Sequence, residues 1–150
     1  MFQPEEIALS FNGGKDCTVA LHLLRAALVR LEMQAPEAEM RTELLRRVKF
    51  VHFVKAGEFE QIEEFRTKIE DLYGIQVQLF SSDFKREVGR LIAEQGVKAI
   101  IMGNRRTDPW SENLQPLTES SEGWPAFMRV FPILDWDYCS IWKFLRSLNQ

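Results

Sequence analysis

The sequence has little cysteine and little histidine, with two of each among 150 residues. Cys17 and Cys139 are too few for a disulfide framework and do not form a zinc pattern. His22 and His52 have a spacing that makes no metal site, and we interpret each as a structural histidine. We therefore expect reduced thiols, as in a cytosol-like compartment.

Long apolar runs and an excess of positive charge are also absent. No apolar stretch approaches the roughly 18 residues that a membrane-spanning helix needs. The acids Glu5 and Glu6 stand where a secretory signal carries bases. A net charge of −3 gives no global basic field for nucleic acid or an anionic membrane. We expect a cytoplasmic protein with small-molecule partners, no nucleic acid and no membrane. The oligomeric state is not encoded in these features.

What the chain does have is the composition of one folded domain covering residues 1–150. Its apolar content of 45% and charged content of 27% are ordinary for a globular protein. Apolar runs alternate with amphipathic segments, and this order predicts an α/β fold: a three-layer α/β/α sandwich with a mainly parallel five-stranded sheet. The predicted strands are 6–11, 48–54, 75–80, 97–102 and 130–134.

Amphipathic periodicity and capping residues predict the helices between these strands. One helix runs over 16–31, and the charged segment 32–47 is expected to form a short surface helix or a loop. A second helix covers 59–73, with Gly74 as its stop. A third is capped by Ser82 or Asp83 and runs to Gln95, and Asp137 caps a last helix. Residues 103–127 are predicted to be a long segment without regular structure.

The most informative segment is 10–17, which reads Ser-Phe-Asn-Gly-Gly-Lys-Asp-Cys directly after the apolar run 7–9. A strand, a glycine turn and a helix therefore follow one another. Glycine allows close approach of the backbone to a ligand, and a helix N-terminus presents unpaired N–H groups with partial positive charge. The segment predicts a phosphate site. The alternative is a plain glycine turn into a helix.

Two common nucleotide motifs are excluded at this turn. Asp16 follows Gly14-Lys15 where a P-loop needs Ser or Thr, and no glycine stands five positions before Gly14. The chain also has no G-x-G-x-x-G, so it lacks the dinucleotide fingerprint. The predicted phosphate site must therefore be a loop of another kind.

A second polar segment opens the predicted long loop and reads Gly-Asn-Arg-Arg-Thr-Asp-Pro-Trp over residues 103–110. It follows the fourth strand, so it is expected at the same sheet edge as the glycine loop, where parallel sheets bind ligands. Arginine can hold phosphate bidentately, and Asp108 can accept hydrogen bonds from a planar N–H edge. Trp110 and Trp124 can form a stacking wall. The alternative is a surface loop whose tryptophans fill a satellite core.

The glycine loop and several later blocks together resemble eukaryotic FAD synthase, a member of the adenine-nucleotide α-hydrolase-like group. The blocks occur in the same order and span nearly the whole chain. They are 10–17, 103–109, 123–130, 132–136 and 141–146. The family transfers AMP from ATP to FMN, giving FAD and pyrophosphate, with Mg²⁺.

The resemblance implies a role for residues in both segments. It implies catalytic roles for Asn12, Asp16 and Asp108, with Asp16 assisting Mg²⁺. The implied ATP-binding residues are Ser10, Asn12, Gly13, Gly14, Lys15, Asp16, Cys17, Phe53, Val54 and Gly103. The implied FMN-binding residues are Arg105, Arg106, Thr107, Asp108, Trp110 and Trp124.

Other interpretations of single residues stay open. Asp16 can be an ordinary first-turn acid favoured by the helix dipole, and Lys15 a solvated side chain. Cys17 is interpreted as replacing a small hydroxyl rather than as a catalytic thiol. Asn104 stands where the family is expected to carry Thr or a similar small residue.

The family's pattern continues past Gln150 into a segment rich in Tyr and Gly, so we expect the domain to lack it. This leaves two alternatives to an active FAD synthase. One is a catalytically weak nucleotide- or flavin-binding fragment, and the other is an enzyme related to phosphoadenylylsulfate reductase.

Overall fold

The computed structural model describes residues 2–34, 44–54, 57–81 and 83–148. Within these ranges one sheet has six strands in the order β3-β2-β1-β4-β6-β5. The strands are β1 Ile7–Ser10, β2 Lys49–Phe53, β3 Val77–Phe80, β4 Ala99–Ile101, β5 Leu117–Glu119 and β6 Met128–Val130. The helices are α1 Lys15–Gln34, α2 Leu44–Arg47, α3 Glu60–Tyr73, α4 Phe84–Gln95 and α5 Tyr138–Leu148. A 3-10 turn at Pro4–Glu6 precedes β1.

Helices cover both faces of the sheet, so the expected three-layer fold is confirmed. Leu21 of α1 and Ile69 of α3 share one apolar cluster with Leu9 of β1. On the opposite face, Val88 and Leu91 of α4 pack in a second cluster. Because buried parallel strands need cover on both faces, this arrangement explains their apolar sequences.

The parallel order of strands brings several strand ends to one edge. Strand β1 pairs in parallel with β2 and with β4, and β2 pairs in parallel with β3. The carboxyl ends of these strands therefore lie together, and their following loops share one crevice.

The predicted helix signals are confirmed at four positions. Gly74 and Gly96 end α3 and α4 in left-handed conformations with φ of 60° and 70°. Asp83 caps α4 by accepting hydrogen bonds from two backbone N–H groups. The Asp137 carboxylate accepts one from the Ser140 N–H at 2.6 Å at the start of α5. The alternative cap, Ser82, lies outside the described residues.

The sheet differs from the prediction at its far edge. The strand predicted over 130–134 is wrong, since β6 is Met128–Val130 and a turn follows it. Ile133 is fully buried against Val19 and Ile141, so it serves helix packing rather than a ladder. The sheet has six strands rather than five because β5 lies inside the segment predicted to be irregular. Strand β5 pairs antiparallel with β6.

Two smaller differences concern helices. Helix α1 continues to Gln34 rather than ending near residue 31, because the intervening residues are good helix formers. Part of segment 32–47 forms α2, and residues 35–43 lie outside the described ranges.

None of the helices in the described part of the chain is both long enough and apolar enough to cross a bilayer.

Candidate active site

The glycine loop joins β1 to α1 with no space for side chains at its turn. Gly13 has a φ of +78°, which L-residues other than glycine rarely adopt. A Cβ there would lie 3.1 Å from the Ile62 carbonyl oxygen of α3. The first helical bond of α1 runs from the Thr18 N–H to the Gly14 carbonyl at 3.0 Å. The N–H groups of the first turn, at residues 15–17, therefore precede the helix's own ladder.

Asn12 shapes this loop. Its Oδ1 accepts a hydrogen bond from the Gly14 N–H at 2.9 Å and lies 2.9 Å from the Cys17 Sγ. An Asn side chain that bonds to a backbone N–H two residues on is a common device for fixing a turn. The geometry gives Asn12 a positioning role in the loop that leads into α1.

Cys17 is buried at the base of the loop and behaves as a donor. Its Sγ lies 3.0 Å from the Gly14 carbonyl oxygen in addition to the Asn12 contact. Burial raises the pKa of the Cys17 thiol to about 11, so the group keeps its proton at neutral pH. A protonated thiol bonded to two oxygens does what a small hydroxyl would do. It is not poised as a nucleophile, since the thiolate is the reactive form.

Gly103, which follows β4, brings the second polar segment against the start of α1. A Cβ at Gly103 would lie 2.9 Å from the Cys17 backbone nitrogen and 3.1 Å from the Asp16 carbonyl carbon. Backbone atoms this close leave no room for a side chain. The absence of one at Gly103 is what lets the two segments touch.

Four charged side chains cross this junction as a compensated network. Asp16 Oδ2 lies 2.7 Å from the Lys15 Nζ, and Asp16 Oδ1 lies 3.2 Å from the Arg105 Nε. Asp108 Oδ2 accepts a hydrogen bond from the Arg105 backbone N–H at 2.8 Å, and its Oδ1 lies 3.4 Å from the guanidinium. The network links the glycine loop to the second segment.

One contact in that network is incomplete. Asp16 Oδ1 and Arg105 Nε are both buried atoms, and neither has a hydrogen-bond partner. They face each other at ion-pair distance, but the N–H is not aligned with the oxygen. Buried polar atoms without partners are rare in folded proteins and often mark a functional site.

Two neighbouring cavities form the crevice above the strand ends. The first, about 320 Å³, we call the polar cavity. Its lining is Ser10, Asn12, Gly14, Lys15, Asp16, Cys17, Phe84, Met102, Gly103, Asn104 and Asp108. The second, about 530 Å³, we call the aromatic cavity. Its lining is Ser10, Asn12, His52, Phe53, Val54, Glu58, Phe80 and Phe84.

Comparisons with known proteins show the family to which this chain belongs. The phosphoadenosine phosphosulfate reductase domain matches residues 6–89 and 84–150. The chain belongs to that family. This confirms the group of folds to which the glycine loop pointed.

Within the phosphoadenosine phosphosulfate reductase domain family, the curated relatives are named FAD synthases. A probable FAD synthase of Schizosaccharomyces pombe is 33% identical over 149 residues, covering 99% of this chain and 54% of that protein. A probable FAD synthase of Caenorhabditis elegans is 35% identical over 146 residues, covering 96% of this chain and 26% of that protein. The chain thus spans about half or less of these relatives.

Solved structures of an FMN adenylyltransferase and of an FAD synthetase are also similar to this chain. Candida glabrata FMN adenylyltransferase in complex with FMN and the ATP analogue AMPCPP has a TM-score of 0.81 and 27% identity. That match covers 99% of this chain and 50% of the solved one. Yeast FAD synthetase in complex with FAD has a TM-score of 0.79 and 30% identity, covering 97% and 51%.

The structure brings most of the predicted ATP-binding residues of this family member to the crevice. Seven of the ten line the polar cavity, and Phe53 and Val54 line the aromatic cavity with Ser10 and Asn12. Gly13 lies in the turn beneath them.

The residues expected to bind FMN are dispersed. Asp108 lines the polar cavity, and the backbone N–H of Arg105 donates a hydrogen bond to the Asp108 carboxylate. Arg106 turns away, with its guanidinium 2.6 Å from Asp135 and donating to two loop carbonyls. Trp110 is 95% exposed with a φ of 65°, and Thr107 is also exposed.

Trp124 packs against Phe84, with ring centroids 5.5 Å apart, and borders neither of the two cavities. Phe84 itself was missed by sequence reasoning, although it borders both. The signal was present, because Phe84 follows the Asp83 cap just after β3, at the same sheet edge as the glycine loop.

A second missed feature is the hydrogen-bonded pair of His52 and Glu58. His52 Nε2 lies 2.8 Å from a Glu58 carboxylate oxygen, and His52 is 3% exposed. The pair lines the aromatic cavity. The interpretation of His52 as a structural histidine fits this burial and this contact, and the residue also borders the crevice. The role of Glu58 could not be predicted from the sequence, because Glu58 meets His52 only once β2 has its place in the sheet.

Proposed function

We propose that this chain transfers AMP from ATP to FMN, giving FAD and pyrophosphate. The observation that carries the proposal is the junction at Gly103. There, a helix N-terminus and a loop bearing Arg105 and Asp108 meet at one cavity. The likeness to FMN adenylyltransferase in complex with FMN and AMPCPP, over 99% of this chain, supports both substrates.

The triphosphate belongs at the start of α1. The first-turn N–H groups and the helix dipole favour an anion there, and Lys15 borders the same cavity. The adenosine belongs in the aromatic cavity next to it, near Phe53 and Val54 at the end of β2. Gly103 lies at the junction and leaves its backbone accessible to the nucleotide.

The flavin belongs on the side of the second segment. Asp108 can accept hydrogen bonds from the isoalloxazine edge, and Arg105 can meet a phosphate once it leaves Asp16. We assign Thr107 and Trp110 to the outer part of this site. Arg106 supports it by holding the loop to Asp135 and to the carbonyls of Glu112 and Leu114.

The transfer needs no protein nucleophile. A phosphate oxygen of FMN forms the new bond to the α-phosphorus of ATP, and the bond from that phosphorus to the β-phosphate oxygen breaks. Pyrophosphate leaves with the bonding electron pair. The chain's contribution is to position both substrates and to neutralise charge. Asn12 holds the loop in place, and the cations Lys15 and Arg105 compensate the phosphate charge.

The residues present fit a Mg²⁺ ion. Asp16 Oδ1 is buried without a hydrogen bond, and Mg²⁺ is commonly held by one or two carboxylates together with phosphate oxygens and water. The described residues contain no cluster of three His, Cys, Asp or Glu side chains, so substrate phosphates would complete the coordination. When bound, the ion supplies positive charge that offsets that of the phosphates. Asp16 would then exchange its contact with Arg105 for the metal.

We place the protein in a reducing, cytoplasmic compartment with small molecules as its partners. Both cysteines are free, and Cys139 is exposed. A free exposed thiol is common where thiols are kept reduced.

The test separates binding from turnover, because the chain spans about half of its relatives. The purified chain is incubated with ATP, FMN and Mg²⁺, and FAD and pyrophosphate are measured. ATP and FMN affinities are measured in parallel by calorimetry. Formation of both products is expected. Binding of ATP and FMN without product would instead assign a nucleotide- and flavin-binding module.

A glycine variant tests the loop. In Gly14→Val the new side chain meets the Asn12 Oδ1, which lies 3.0 Å from the Cβ position. We expect a folded variant that has lost ATP binding. Unchanged ATP affinity in that folded variant would reject the assignment of the triphosphate to this loop.

A further inference from the structure

Phe84 is the aromatic residue whose ring borders both the polar cavity and the aromatic cavity. It is the first residue of α4 and follows the cap Asp83. That cap accepts hydrogen bonds from the N–H groups of Lys85 at 2.8 Å and Arg86 at 3.2 Å. The backbone position of Phe84 is therefore fixed. The side chain keeps 39% exposure, so part of the ring faces the crevice.

A single exposed apolar side chain is ordinary on a protein surface, but this ring is held on two sides. Its centroid lies 4.1 Å from that of Phe53, with an interplanar angle of 61°. Its centroid lies 5.5 Å from that of Trp124, with an angle of 64°. Edge-to-face contacts are a preferred arrangement of aromatic rings. They hold Phe84 in one orientation at the boundary of the two cavities.

Trp124 is itself anchored behind Phe84. Its backbone N–H donates to the Ser121 carbonyl at 3.0 Å. The next residue, Pro125, packs on α4, where its Cγ lies 3.6 Å from the Cβ position of Gly89. Trp124 also lines a separate cavity of about 520 Å³ that includes Phe2. The lining of that cavity includes neither Asp108 nor any other residue of the segment 103–110.

A nucleotide whose phosphates lie at the start of α1 must extend its base past the boundary between the two cavities. The aromatic cavity has room for a base and ribose, and its aromatic lining suits a flat ring. Phe84 is the ring that such a nucleotide meets as it leaves the phosphate end.

We propose that the nucleobase of ATP stacks on Phe84 and that Trp124 is a positioning residue for Phe84 rather than a wall of the flavin site. The proposal rests on the function proposed above, since it takes the triphosphate to lie at α1. It adds the residue that distinguishes a nucleotide from a bare polyphosphate.

The experiment compares ATP with inorganic tripolyphosphate, which has no base. Phe84→Leu keeps an apolar side chain but removes the ring, and Phe84→Tyr keeps the ring. We expect Phe84→Leu to weaken ATP binding about five- to hundredfold, the range found for base–aromatic stacking. Tripolyphosphate affinity should stay within twofold in both variants, and Phe84→Tyr should bind ATP as the parent chain does.

The matched control is Phe2→Leu, because Phe2 has the same 39% exposure and lies in the separate cavity. It should change neither affinity. Equal ATP affinity in Phe84→Leu and the parent chain would overturn the stacking role. So would an equal loss for ATP and tripolyphosphate, which would indicate a disturbed helix end. A parent chain that binds neither ligand would instead reject the proposed function itself.

The role of Trp124 has its own readout. Trp124→Leu should raise the apparent KM for ATP, leave kcat near its parent value and leave FMN affinity unchanged. Trp124→Phe should restore the ATP value, because an aromatic edge again supports Phe84. A loss of FMN affinity with unchanged ATP affinity would return Trp124 to the flavin wall and overturn the positioning role.

Discussion

The two ends of the crevice are built from different materials. The polar end is made of backbone at Gly13 and Gly103 and of a charged network, with close contacts that leave no room for added atoms. The aromatic end is made of side-chain rings, above all Phe53 and Phe84, with space between them. The polar end should therefore reject any enlargement, whereas the aromatic end should accept a ring of similar shape.

The difference also concerns what each end offers a ligand. Asp16 and Arg105 have buried atoms without hydrogen bonds, so the polar end gains partners when a phosphate or cation arrives. The rings of the aromatic end offer apolar surface and dispersion contacts. Binding at the polar end should thus weaken with salt, while the contribution of the base should not.

The largest effect is expected at the junction itself. In Gly103→Ala the new Cβ meets backbone atoms of Asp16 and Cys17, which cannot move aside as a side-chain end can. Overpacking of this kind costs about 1–3 kcal/mol in the free energy of unfolding. We also expect ATP and tripolyphosphate affinities to fall together, by about tenfold or more. Denaturant unfolding and calorimetry measure the two effects.

Gly89→Ala is the matched control for that variant. A Cβ at Gly89 has only an ordinary contact, 3.6 Å from the Pro125 Cγ, and Ala is the better helix former. Its stability should be equal or greater by up to about 1 kcal/mol. If Gly103→Ala behaved like Gly89→Ala, the polar end would be less tightly packed than the contacts around Gly103 indicate.

The next effect separates the flavin side from the ATP side. Asp108→Ala should weaken FMN binding by about 1–3 kcal/mol through loss of a buried hydrogen bond, with a much smaller effect on ATP. Asp108 also holds the Arg105 backbone N–H, and Asp108→Asn keeps an acceptor for that bond. Calorimetry with each ligand gives the two affinities. A larger loss for ATP than for FMN would show that this division of the crevice is wrong.

Asn12 allows stability and phosphate binding to be separated within the polar end. Asn12→Ala removes the acceptor for the Gly14 N–H and should lower the free energy of unfolding by about 1 kcal/mol. Asn12→Asp keeps the acceptor but adds a negative charge beside the phosphates. We expect near-parent stability with weakened ATP and tripolyphosphate binding. Parent-like affinity in Asn12→Asp would place the phosphates farther from this side chain.

The smallest effect concerns the thiol under the loop. Burial raises the pKa of Cys17 to about 11, so the folded chain holds this proton more tightly than an unfolded chain does. The protonated Cys17 thiol therefore makes its full contribution to the free energy of unfolding at neutral pH. That contribution is lost as pH rises from about 8.5 to about 11. Unfolding at pH 7.5 and pH 10 should show a larger alkaline loss in the parent chain than in Cys17→Ser.

Alkylation gives an independent check on the same thiol. At pH 8, iodoacetamide should modify the exposed Cys139 and leave Cys17 unmodified in the folded chain, as mass spectrometry can show. Modification of both cysteines at similar rates would mean that the base of the loop opens readily.

The central fold was predictable because its signals are local. The run 99–102 is continuously apolar, as a covered parallel strand requires, and Gly74 and Gly96 stop their helices through conformations that suit glycine. Strand β5 had no such signal. Leu117, Thr118 and Glu119 lack apolar alternation, and their strand exists because β6 offers them an edge.

The same distinction between local and distant signals decides which site residues could be predicted. The glycine loop was readable because eight adjacent residues carry it. Arg105 and Arg106 could not be told apart, since both can bind phosphate and only the loop backbone turns one inward and the other toward Asp135. Phe84 stands at a readable position just after β3, but its contacts with Phe53 of β2 and with Trp124 join segments that lie far apart in the sequence.

The antiparallel pairing of β5 has a consequence for how the second segment is ordered. It anchors the chain after β4 at both ends of residues 102–116, because Ile101 and Leu117 belong to the same sheet. A loop tied at both ends to a rigid frame has fewer conformations to lose than one running freely to β6. Much of the entropy of ordering Arg105 and Asp108 is thus lost during folding, and less is left to oppose ligand binding.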